Sequence, residues 1–223
     1  MTGWFITATD TGVGKTLAAC SLLHALRAAG LRAAGMKPVA SGCAPGPDGP
    51  RNADAEALIA AAGADLAYAD VNPYALPDAT APALAARAAG VAIRLDVIAA
   101  SYARLASRAE RVVVEGVGGW RVPLGDGLEL PDVARALALP VILVVGIRLG
   151  ALNHALLSWE AIAAAGLARA GWVANRLDAD PRLDGYLESL CDLLGEAPLA
   201  ALPHARPPDP ARLAVCWDLA RLR

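Results

Sequence analysis

The stretch Ala8-Thr-Asp-Thr-Gly-Val-Gly14-Lys15-Thr16 constrains this chain more than any other. It follows an apolar run, Gly3 to Ala8, and precedes Lys15 to Ala29, whose composition and periodicity predict a helix ending before Gly30. Strand, glycine-bearing turn and helix in that order make a phosphate-binding loop. Glycines let successive backbone N–H groups converge on phosphate oxygens at the positive end of the helix. The pattern G-x-x-x-x-G-K-[ST] is met except at its first position, where Ala8 stands for glycine. That exchange is tolerable where the position does not need positive φ, since only a Cβ is added. Lys15 would neutralise the β and γ oxygens, and the Thr16 hydroxyl could enter the shell of a magnesium ion, which prefers octahedral oxygen ligands.

The rest of the chain repeats a β-then-α rhythm. Arg32 to Val39 reads as a second strand, and Ser41 to Arg51, rich in Gly and Pro, as a loop. Asp54 to Ala62, Ala81 to Ala88 and Leu95 to Ser107 read as helices, then Arg111 to Glu115 as a fully buried strand. Leu130 to Leu139 is predicted helical, Val141 to Gly146 a strand, Ala151 to Ala165 a helix and Ala170 to Asn175 a strand. Pro203 to Pro210 reads as a rigid local loop. Strands separated by crossover helices specify a mostly parallel sheet with helices on both faces, ligands sitting beyond the carboxyl ends of the strands. The expected fold is a P-loop NTPase-type α/β domain, a single one spanning residues 1–223.

Composition narrows the function. With 56% hydrophobic and 19% charged residues the chain suits one well-filled core. The longest strongly apolar stretch, Val141 to Val145, falls far short of the roughly 18 residues that span a bilayer. Met1 to Ala8 reads as a first strand and not a secretory signal, so the expected compartment is the cytoplasm. A net charge of −2 with both signs scattered leaves no basic face for nucleic acid. Cys20, Cys43, Cys191 and Cys216 lack the spacing of a zinc site or disulfide framework. Of 20 basic residues only Lys15 and Lys37 are lysine. Where arginine serves almost everywhere, a surviving lysine marks a place that needs a compact ammonium and not a planar fork.

Two acids are placed to meet a metal. Glu115 ends a buried β-branched strand and precedes Gly116-Val-Gly-Gly119, the position of a site carboxylate. Asp54, after Arg51-Asn52-Ala53, reads equally as a helix N-terminal acid or a metal ligand.

Several stretches together resemble dethiobiotin synthetase: Thr9-Asp-Thr-Gly-Val-Gly-Lys-Thr16, Lys37-Pro-Val-Ala-Ser-Gly42, Arg51-Asn-Ala-Asp54, Val71-Asn-Pro-Tyr74, Val114-Glu-Gly-Val-Gly-Gly-Trp120, Leu149-Gly-Ala-Leu-Asn-His-Ala155 and Gly171-Trp-Val-Ala-Asn175. The resemblance implies a homodimer using ATP, Mg2+ and CO2 or bicarbonate to close a cyclic urea on 7,8-diaminononanoate. It implies catalytic roles for Lys37, Lys15 and Thr11, and metal binding by Thr16, Asp54 and Glu115. The nucleotide would be held by Gly12, Val13, Gly14, Lys15, Thr16, Leu17, Asp54, Glu115, Gly116, Val117 and Gly118. Asn175, Arg176 and the Pro203-His204-Ala205 loop would meet the base. Ser41 would contact the diamine, and the Gly150-Ala151-Leu152-Asn153 turn the substrate carboxylate across the dimer interface. The likeness departs at Gly12, where a relative carries glutamate, at Arg148, where it carries lysine, and beyond Pro203.

Two rivals share the fold. A partition-type dimeric ATPase would carry a second lysine early in the phosphate loop, where this chain has Thr9. A cobyrinate-type amide-forming synthetase would continue into a glutamine amidotransferase domain, for which this chain is too short.

Overall fold

The computed structural model describes residues 3–222. The chain runs β1 (Gly3–Ala8), α1 (Lys15–Ala28), β2 (Ala33–Met36), β3 (Val39–Ser41), α2 (Ala53–Ala62), α3 (Tyr68–Val71), β4 (Tyr74–Leu76), α4 (Pro82–Ala88) and α5 (Leu95–Ala106). It continues with β5 (Arg111–Glu115), β6 (Pro123–Gly125), β7 (Leu128–Glu129), α6 (Leu130–Ala136), β8 (Val141–Ile147), α7 (Ala151–Ala164), β9 (Arg169–Arg176), α8 (Asp184–Leu194), β10 (Ala200–Leu202) and α9 (Pro210–Leu213). Met1 and Thr2, part of the predicted first strand, lie outside the described residues.

Six strands form one sheet in the order β10-β9-β8-β1-β5-β2, and every neighbouring pair is parallel. β1 therefore sits between β5 and β8, where the chain, having built one wing, crosses to build the other. Such a reversal opens a crevice at the carboxyl ends of the strands. Strand side chains alternate between two apolar layers: Phe5, Val114 and Leu143 face one, and Trp4, Ile6 and Val144 the other. α1 lies on the second layer, where fully buried Leu22 and Leu23 each contribute about 2 kcal/mol by leaving water. The tail braces this helix, since Trp217 Nε1 donates to the buried Ser21 hydroxyl at 2.8 Å.

The expected second strand, Arg32 to Val39, is two strands. β2 stops at Met36; Pro38 has no N–H for a ladder, and the Lys37 N–H instead donates to Val71 O at 2.7 Å. β3 then pairs in parallel with β4, outside the main sheet. The predicted Leu130 to Leu139 helix ends at Ala136, and Ala138 has a left-handed φ of 50°. β10 extends the sheet where a loop was expected to begin soon after. Among the described residues no helix is long and apolar enough to cross a membrane.

Candidate active site

The β1–α1 turn, the end of β5 and the start of α2 enclose a cavity of about 360 Å³ beyond the sheet. Thr11, Gly12, Gly14, Lys15 and Thr16 line it from the loop, Lys37 from the β2–β3 bend, Ser41 from the end of β3, Asp54 from α2, and Glu115, Val117 and Gly118 from β5 onward. Residues spread over a hundred positions of sequence thus meet because three parallel strands end together.

The loop has the backbone that its glycines permit. Gly12 has φ 74° and Gly14 φ 95°, both left-handed. A Cβ on Gly14 would lie 2.1 Å from Asn175 Nδ2, which donates to Val13 O at 2.9 Å and so pins the loop from beneath. Ala8 needs no such freedom: it is the last residue of β1, and among the described residues only Asp126 and Ala138 carry positive φ without being glycine. Asp10 accepts the Thr11 N–H at 2.7 Å and pairs with Arg148 at 2.6 Å. The Thr11 N–H, helped by Arg148, holds the Asp10 carboxyl below its usual range against the opposing effect of burial.

Both lysines are buried in the cavity wall. Lys15 Nζ donates to Asp10 O at 3.1 Å. Burial first, and the neighbouring Lys37 ammonium second, bring its pKa down to about 8. Lys37 Nζ lies 2.6 Å from Glu115 Oε1, 3.0 Å from Asp54 Oδ2 and 3.1 Å from Gly116 O. Burial alone would lower its pKa, but Glu115 and Asp54 outweigh that and raise it. Desolvation likewise pushes against ionised Asp54, and Lys37 reverses it, leaving the carboxyl below its ordinary value. The Lys37–Glu115 pair is almost wholly enclosed, with 4% and 1% of the side chains exposed. Charges so buried are costly unless matched, which is why removing one partner is far worse than removing a surface pair.

The Thr16 hydroxyl donates to Glu115 Oε1 at 2.9 Å, while Glu115 Oε2 is buried without a hydrogen-bond partner. Among the described residues no group of three or more His, Cys, Asp and Glu gathers. Two carboxylates, one with an orphaned oxygen, and a hydroxyl are a sparse, hard donor set. They fit a magnesium ion, which keeps several waters and shares phosphate oxygens.

The other expected contacts divide. Arg176 and Pro203 line a second hollow of about 260 Å³, walled by Ile147, Ala174, Leu183, Leu187, Ala201 and Leu202. His204 and Ala205 do not line it, and Asn175 is buried under the phosphate loop. Leu17 packs its half-buried side chain against the core layer beneath α1. Gly150, Ala151, Leu152 and Asn153 lie at the start of α7 and do not line the first cavity. Sequence reasoning missed Asp10, whose carboxylate ties the loop to Arg148, and the role of Asn52. Asn52 caps α2 by accepting from the N–H groups of Asp54 and Ala55, a position its place before an apolar helix could have signalled. It also missed Tyr68, which no local pattern marks.

A family described as an AAA domain matches residues 2–212. The chain is 51% identical over its full length to a dethiobiotin synthetase of Pseudomonas aeruginosa, of which the match covers 98%. It is 49% identical to that of Xylella fastidiosa, covering 96% of each chain, and 54% identical to that of Xanthomonas euvesicatoria pv. vesicatoria, covering 84% of this chain and 83% of the relative. The fold is similar to that of the MinD cell division protein of Aquifex aeolicus in complex with MinC, at a TM-score of 0.58 and 14% identity over 92% of this chain and 82% of the other. Chloroplast FtsY of Physcomitrella patens gives a TM-score of 0.54 at 18% identity, covering 96% of this chain and 64% of the other. Those structures share the P-loop fold; the likeness over most or all of the sequence is to enzymes, and the chain belongs to the ATP-dependent dethiobiotin synthetases.

Proposed function

We propose that the chain closes the ureido ring of dethiobiotin on 7,8-diaminononanoate, with CO2 and ATP, through a carbamate and a carbamic-phosphoric anhydride. The observation that carries this is the pair of enclosed ammonium groups, Lys15 and Lys37, facing Asp54 and Glu115 above a phosphate loop. A neutral substrate amine attacks CO2, losing a proton, and the resulting carbamate needs positive charge in a place poor in water. Lys37 and Lys15 supply that charge, and the Thr11 and Ser41 side chains lie in the same cavity to orient the diamine end. The carbamate oxygen then attacks the γ-phosphorus and ADP leaves, while the loop N–H groups and both lysines stabilise the spreading negative charge. The second amine attacks the activated carbonyl, phosphate departs and the ring closes, favoured because both amines belong to one positioned molecule. Thr16, Asp54 and Glu115 would hold Mg2+, whose chemistry here is to offset phosphate charge.

The hollow between β9, β10 and α8 is apolar apart from Arg176 and Asp184, and suits the base of the nucleotide. Leu149 is 87% and Leu157 59% exposed at and along α7. An apolar face there, beside a substrate turn set apart from its own cavity, supports a homodimer in which α7 of one copy receives the substrate carboxylate held by the other. The test is a coupled assay with ATP. ADP formation that requires diaminononanoate and bicarbonate together, and stops on metal chelation, supports the reading; ADP formation indifferent to the diamine sinks it. Sedimentation of the wild-type chain as a monomer would remove the dimer from it.

A further inference from the structure

Lys37 stands just past the end of β2, the edge strand of the main sheet, where no strand ladder continues on either side to hold its main chain. The segment 71–72 does so instead. Lys37 N–H donates to Val71 O at 2.7 Å, and Lys37 O accepts from Asn72 Nδ2 at 2.6 Å. The Asn72 side-chain oxygen accepts from the Tyr68 hydroxyl at 3.0 Å, and that hydroxyl accepts the Asn52 N–H at 2.7 Å. Asn52 Oδ1 in turn accepts the Asp54 N–H at 3.0 Å, and Asp54 Oδ2 lies 3.0 Å from Lys37 Nζ. The links close into a ring that begins at the carbonyl of Lys37 and returns to its ammonium. Asn72 is 3% and Asn52 9% exposed, so water has little room to substitute for a lost link. Arg51 stacks its guanidinium 3.9 Å from the centre of the Tyr68 ring and keeps the ring in place.

We infer that Tyr68 and Asn72 are positioning residues for phosphoryl transfer: through this ring they set the Lys37 ammonium and the Asp54 carboxylate at a fixed separation. Neither lines the cavity, so both act through other residues. The inference rests on the reading of Lys37 and Asp54 as groups that meet the γ-phosphate and its metal.

The test uses the full chain with Tyr68→Phe, which keeps the ring and its Arg51 stack and removes one oxygen. Misplacement of reacting groups by a fraction of an ångström is costly, so kcat falls about tenfold with the nucleotide KM within about twofold. In calorimetry without diamine, the gain in ADP affinity on adding Mg2+ shrinks several-fold, while metal-free ADP binds as in wild type. Asn72→Ala, which cuts the ring on the other side of the hydroxyl, gives the same pattern. In an Asp54→Asn background Tyr68→Phe adds less than about twofold, because the link has nothing left to position. Full additivity in that background overturns the proposal, as does a lowered Tm with kcat and the Mg2+ gain intact. Turnover unchanged in Asp54→Asn itself overturns the underlying reading of the site, whereas a strong loss there beside an unaffected Tyr68→Phe overturns the ring alone.

Discussion

The two hollows at the carboxyl end of the sheet are built in opposite ways. The first hollow, beside the glycine loop, is made of charged and polar groups held by partners at hydrogen-bonding distance: Lys37 by Glu115 and Asp54, Lys15 by the Asp10 carbonyl, Thr16 by Glu115. The second hollow is a slot of aliphatic side chains drawn mainly from β8, β9, β10 and α8, its one ion pair, Arg176 with Asp184, lying at the side. At the first, a single wrong atom leaves a buried charge unmatched; at the second, small changes of shape are absorbed. The hollow to which we assign the chemistry is the one where tolerance is least.

Substitutions can break this contrast. Lys37→Arg keeps the charge but cannot place a compact ammonium between two carboxylates, and turnover should fall by about a hundredfold or more with the chain still folded. Glu115→Gln removes the anion that Lys37 and Thr16 share, and a loss of about the same size in kcat is expected. Near-normal steady-state rates in either variant would erase the distinction between the two ends. Gly14→Ala forces a Cβ into Asn175 at an unfavourable φ, so the nucleotide KM should rise by about tenfold or more and Tm should drop. Ala201→Trp, placed in the wall of the slot, should raise the nucleotide KM about fivefold and leave kcat within about twofold, as expected for lost uniform binding. A kcat effect there would mean that the slot also takes part in chemistry. Arg148→Lys retains a cation beside the half-exposed Asp10, and since such pairs are worth about 1 kcal/mol or less, less than about threefold change in kcat/KM is expected.

What could be read from the amino-acid order follows the same divide. Gly14, Lys15 and Thr16 are adjacent because one turn supplies them, and Glu115 ends a strand whose burial is written in three valines. Local rules suffice there. The break at Lys37-Pro38 was signalled in part by the proline, but only the distant Val71 carbonyl explains where the Lys37 amide goes. Asp54 was ambiguous for a good reason. It is both a first-turn acid of α2 and a partner of Lys37, and helix geometry permits the two at once. Tyr68 carries its hydroxyl to Asn52 across 16 residues of sequence, and nothing in its neighbours announces that. The aliphatic slot was least legible, since β10 is three residues long and the apolar wall comes from several separate elements.

Ala8 ends β1 fully enclosed, with no exposed surface and an extended backbone. A consensus written in letters asks for glycine there, but the fold asks only for something small. Gly12 is the reverse case, with open space around it and a torsion that most side chains resist. Alanine and glycine therefore both fit at the loop's entrance, while a bulkier side chain is shut out by the packed interior. The signature is better stated as a sequence of torsion angles and available volumes than as a string of residue names.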